Sequence, residues 1–168
     1  MHITLISLAL SLLVVSCYRV DPWRNVTIKA GHTDYDSTRL IYPATNFSHD
    51  IEIEFLYTLD TLHAYINVYS QPIPPYQEDD KVAILSFDTK EHHHELPVFR
   101  LSGGQRLKIP EESLELFVEL LEKNPYVLMT LKEGYRTKIN TKNFKNHFNH
   151  LKTKPFPFIP NDPIGLAL

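Results

Sequence analysis

The sequence predicts an α+β domain assembled on antiparallel strands, and three features carry that prediction. Segments such as Ile51-Glu52-Ile53-Glu54-Phe55 alternate apolar and polar residues with period two, the pattern of a strand with one buried face. One later segment changes to helical spacing, with Leu114, Phe117, Val118, Leu120 and Leu121 on a single stripe. The apolar segments are separated mostly by turn residues rather than by crossover helices, which favours antiparallel pairing. Hydrophobic content of 43% and charged content of 22% are those of a globular body.

In chain order, Val26, Ile28 and Ala30 alternate with polar neighbours and predict a first half-buried strand, with His32 to Ser37 as a loop. Ile51 to Phe55 and the run Leu62, Ala64, Ile66, Val68 predict an antiparallel pair joined at Thr58 to Thr61. Pro72, Pro74 and Pro75 followed by Glu78, Asp79 and Asp80 predict an exposed connection. The nearly continuous apolar run Val82 to Phe87 predicts a strand covered on both faces, paired with Leu96 to Leu101 across a loop that holds the histidine tract.

Ser102-Gly103-Gly104 breaks the chain, and the clearest helix follows at about 111–123. Pro110 suits its start, Glu111 and Glu112 complement its positive end, and Lys123-Asn124 closes it before Pro125. Tyr126 to Leu131 and Tyr135 to Ile139 predict a hairpin turning at Glu133-Gly134, with a short helix from Thr141 to about Leu151. Residues 153–168 interleave Pro155, Pro157, Pro160 and Pro163 with Phe156 and Phe158, an extended tail.

The amino-terminal end has a different character. From Ile3 to Val15 only Thr4, Ser7 and Ser11 interrupt an uncharged apolar run. It is shorter than the roughly 20 residues that span a bilayer, so a cleaved signal segment is expected. The run closes on Val14-Val15-Ser16-Cys17, which resembles the lipobox of bacterial lipoproteins. That resemblance implies cleavage after Ser16, a diacylglyceryl group on the Cys17 thiol, and acyl chains that hold a soluble body on a membrane. Plain secretion of a soluble protein is the alternative reading of the same segment. The expected division is therefore a signal peptide at 1–16, a lipidated tether at 17–24, one α+β domain at 25–152 and the tail at 153–168. A leader and lipobox-like cysteine ahead of a small β-rich body is similar to the architecture of envelope lipoproteins in Gram-negative and chlamydia-like bacteria.

Bulk properties exclude several classes of activity. A net charge of -3 and a pI near 6.3 give no general attraction to nucleic acid. Cys17 is the only cysteine, so the body has no disulfide, no cysteine-based zinc site and no cysteine nucleophile. No Gly-x-Ser-x-Gly elbow, His-Glu-x-x-His helix, P-loop or dinucleotide fingerprint occurs, and no cofactor is expected. Asn25-Val26-Thr27 and Asn46-Phe47-Ser48 fit the glycosylation tripeptide, an acceptor in a eukaryotic or viral setting and silent in a bacterial host.

Two sets of residues remain as site candidates. His92-His93-His94, between Glu91 and Glu95, is the one local cluster of metal-ligand types. On extended backbone His92 and His94 share a side while His93 faces away, and Glu91, His63 or His147 are candidates to complete a set. A solvated loop is the competing reading. The last third of the chain is basic, and Arg136, Lys138, Lys142 and Lys145 are the candidates for a surface that docks a protein, an anionic glycan or phosphate-bearing headgroups. Ser102-Gly103-Gly104-Gln105-Arg106 is expected to be a turn rather than an anion cradle. The function expected is a non-enzymatic binding or structural role in the cell envelope, facing the periplasm or the surface. A metal-dependent or hydrolytic periplasmic enzyme using the His92 to His94 region is the alternative.

Overall fold

The computed structural model describes residues 21–29, 37–44, 51–58, 61–69, 72–77, 79–131 and 135–152. The leader with Cys17, the Asn46 tripeptide, the Glu133-Gly134 turn and the proline-rich tail lie outside the described residues. Among those described, the strands are β1 (Arg24–Ile28), β2 (Ser37–Tyr42), β3 (Ile51–Thr58), β4 (Thr61–Val68), β5 (Val82–Asp88), β6 (His93–Arg100), β7 (Arg106–Ile109), β8 (Tyr126–Thr130) and β9 (Arg136–Asn140). The helices are α1 (Glu111–Lys123) and α2 (Phe144–Lys152). All nine strands join one antiparallel sheet in the order β1-β2-β3-β4-β7-β6-β5-β8-β9. The β-rich α+β class is the one the sequence predicts.

Register explains where the core lies. Leu40 is opposite Phe55, Phe55 opposite Ala64 and Ala64 opposite Ile109. On the other half Val98 is opposite Ala83, Leu96 opposite Leu85, and Phe87 opposite Met129. Because side chains alternate along a strand, these pairings put one apolar layer on one face of the sheet. The helices cover that face. Phe117 of α1 stacks on Phe55 at 5.7 Å and meets Phe87 at 5.4 Å, while Phe144 and Phe148 of α2 each lie 5.5 Å from Phe55. α1 ends where Asn124 donates its side-chain amide to the Leu120 carbonyl, ahead of Pro125.

The sheet curls until its two edges meet. Trp23, just ahead of β1, donates its indole N–H to the Asn140 carbonyl at the end of β9, at 2.8 Å. Asn140 in turn donates its backbone N–H to the Tyr42 hydroxyl of β2 at 3.2 Å. Trp23 is 1% exposed and packs against Tyr42, Phe55 and Phe144.

Several local expectations are corrected. Trp23 is a core residue rather than part of a tether, so the folded body includes it. Val26 and Ile28, expected to be half-buried, are 36% and 39% exposed, because β1 is an edge strand that packs little on either side. Val82 to Phe87 alternates between buried and half-buried positions and so is covered fully on one face only. His93 and His94 are the first residues of β6 rather than loop. β2 and β7 are strands the periodicity did not reveal, and Ile73 in the proline-rich connection is buried.

Candidate functional site

The tight turn between β5 and β6 positions the histidine tract. Thr89 accepts the His92 N–H on its hydroxyl at 3.1 Å and donates its own backbone N–H to the His92 carbonyl at 2.9 Å. The extended backbone that follows sends alternate residues to opposite faces. His92 and His94 therefore share a side, edge-to-face with ring centres 6.0 Å apart. Both line a cavity of about 460 Å³ together with Glu91, Leu116, Glu119 and Lys123. Lys123 forms an ion pair with Glu119 one turn away on α1, and that hydrogen bond holds the Glu119 carboxyl below its usual range, with His94 adding to the effect.

The side chains expected to complete a metal set are elsewhere. His63 lies beside Tyr65, and His147 is engaged by Asp21 and Asn25. Glu91 reaches only to 4.0 Å from His92. Among the described residues no group of three metal-ligand side chains converges. The pocket thus offers two imidazoles together with the Glu91 and Glu119 carboxylates.

His93 turns to the other face of the sheet. Its Nδ1 is 2.6 Å from Asp88, which also receives Arg136 at 3.2 Å. The hydrogen bond from His93 is the main cause lowering the Asp88 carboxyl below its ordinary value, and the same bond raises the His93 imidazole above its own. On the same outer face lies a second carboxylate, Glu54. It is 4% exposed, clamped between Arg39 at 3.2 Å and Arg106 at 2.9 Å, with the Arg106 guanidinium over the Tyr65 ring.

Of the basic candidates, Lys138, Lys142 and Lys145 run from the second half of β9 into α2, while Arg136 opens β9 at its other end. Arg136 is committed to Asp88 and Thr130. Lys138 lies over the Tyr126 ring at 4.1 Å. Lys145 is 3.9 Å from Glu122 with its side chain 67% exposed. Lys142 is exposed, with no ion pair to it among the described residues.

The entry of the chain is fastened to this corner. Asp21 accepts a hydrogen bond from the Asn143 amide at 2.8 Å, and His147 contacts Asp21 at 3.1 Å and Asn25 at 2.5 Å. Asn143 adopts φ 64°, a conformation that asparagine tolerates better than most residues. These contacts join positions more than a hundred residues apart, and no sequence pattern signals them. Ser102-Gly103-Gly104 is a turn between β6 and β7, as expected. Gly104, at φ +68°, leaves room for the Arg100 guanidinium, which a Cβ there would meet at 2.5 Å, so the glycine serves packing.

Compared with known proteins, the chain matches no protein-family model, no curated protein and no solved structure. No helix among the described residues is long and apolar enough to cross a membrane.

Proposed function

We propose that the chain is an exported envelope protein, held on a membrane by lipid on Cys17, whose folded body has a non-enzymatic binding or structural role. The observation that carries this reading is the apolar run Ile3 to Val15 closed by Ser16 and the chain's single cysteine. A thiol at that position has no disulfide partner in the chain, and Ser16 supplies the small residue a signal peptidase requires. The placement of Trp23 supports the reading, because the folded body begins within six residues of Cys17. An anchor there acts on the body directly rather than through a long leash.

The test is Cys17→Ser in a bacterial host, followed by mass spectrometry of the mature amino terminus. The native chain is expected to take up labelled palmitate and to partition into detergent, and the variant to do neither. An unmodified Cys17 in the mature protein, or cleavage beyond it, would leave plain secretion.

A second reading, a metal-dependent or hydrolytic enzyme, is favoured by one observation: His92 and His94 face the same cavity. Calorimetric titration with zinc or nickel separates the two. Weak, sub-stoichiometric binding is expected for two imidazoles without a third converging ligand. Tight one-to-one binding abolished by His94→Ala would favour the enzyme.

A further inference from the structure

We infer that the corner built from Arg24, Lys138, Lys142 and Lys145 is the face that rests on the membrane, and that it recognises anionic phospholipid headgroups. This rests on the lipid-anchor reading of Cys17. The first support is chain length. Asp21 is only four positions after Cys17, so the two Cα atoms are within roughly 14 Å even when the chain is fully extended.

The second support is where that leash ends. Asp21 is tied by its carboxylate to Asn143, the neighbour of Lys142. Trp23 is tied by its indole to Asn140, two residues from both Lys138 and Lys142. Lys145 follows Phe144, whose ring packs on Trp23 at 4.8 Å. The acylated end and the basic corner are therefore parts of one locality.

Charge complementarity selects the occupant. Four cations at this corner stand against Asp21 and Glu122. Lys142 is exposed, Arg24 is exposed, and Lys145 keeps most of its surface open beside Glu122. Basic residues beside a lipid anchor are the usual second element of membrane attachment. The opposite side of the molecule differs. Lys108 is on the outer face of β7, the middle strand, four strands from either edge, while the seam joins the edges.

The experiment uses the full, host-processed protein reconstituted in vesicles of phosphatidylcholine with about 30% phosphatidylglycerol, in vesicles of phosphatidylcholine alone, and in detergent. Lysines are acylated with a water-soluble reagent and their rates read by peptide mass spectrometry, with the state of Cys17 read in the same digest. Lys138, Lys142 and Lys145 should be protected at least about fivefold in the anionic vesicles relative to detergent, the factor expected for one basic residue at an anionic surface. Lys108 and Lys81 should change less than about twofold. Lys142→Glu should weaken the protection of Lys138 and Lys145.

Equal rates in vesicles and detergent, with Cys17 acylated, would overturn the membrane face and leave the lipoprotein reading standing. Equal protection in neutral and anionic vesicles would overturn the recognition of anionic headgroups. A Cys17 without acyl chains would overturn the anchor and this inference together.

Discussion

Asp88 holds two side chains at once, with His93 Nδ1 at 2.6 Å and Arg136 at 3.2 Å. Histidine protonation is therefore coupled to folding at this point. The imidazole is raised by the Asp88 bond, so its contribution to stability is complete below the ordinary histidine value and is lost as pH rises through the raised one. The Asp88 carboxyl is lowered by the same bond, so its contribution is present above the ordinary carboxylate value and is lost as pH falls through the lowered one. The pair is thus at full strength between the ordinary aspartate and histidine values. Asp88→Asn should move the His93 midpoint, followed by NMR, down toward the ordinary value of about 6.5. A midpoint unchanged by the substitution would mean that the two side chains do not meet. The pair is exposed and solvent-screened, so the readout is the midpoint rather than global stability. Sequence alone places His93 away from its two neighbours, but it gives no sign of Asp88 or Arg136, because cross-strand partners are set by register.

Elements were legible where their own periodicity decided them. α1 spans Glu111–Lys123 because its apolar stripe, acidic first turn and Asn124-Pro125 stop agree. Its buried residues are Phe117, Leu120 and Leu121, with Leu114 and Val118 at the margin. The β3–β4 pair was equally plain, since strict alternation continues on both sides of the turn. β7, with only Leu107 and Ile109 buried and Arg106 and Lys108 alternating with them, is too short to carry a period. β2 keeps Arg39 on its outer face for Glu54, which hides the strand behind a charge. α2 begins at Phe144 rather than Thr141 because Asn143 breaks the helical backbone with a positive φ. The packing of Phe117 against Phe55 and Phe87 gives a test of the α1 face. Phe117→Ala should lower unfolding free energy by about 3–5 kcal/mol in denaturant titration. A loss under about 0.5 kcal/mol would mean that another face of α1 carries the packing.

At the scale of the molecule, the seam decides whether the nine strands behave as one unit. An open antiparallel sheet of this width leaves two unpaired edges, and here they are linked by the Trp23 and Tyr42 side chains, which hydrogen-bond to the Asn140 backbone, rather than by a further ladder. Trp23 fills the gap between β2, β3 and α2 while its N–H satisfies a strand-end carbonyl. It is a residue no periodic pattern would assign to a core, since it precedes β1 by one position. Two shortened chains separate its role from that of the leader. One beginning at Tyr18 retains Asp21 and Trp23 and should unfold cooperatively. One beginning at Arg24 loses the indole, its hydrogen bond and the Asp21 contacts to Asn143 and His147. Removing a buried tryptophan side chain costs about 3–5 kcal/mol, a large share of the roughly 5–15 kcal/mol that holds a domain together. The second chain should therefore melt at a much lower temperature, with hydrogen exchange speeding first in β9 and α2, the elements Trp23 joins to the rest. Equal stability of the two chains would show that the seam closes without Trp23.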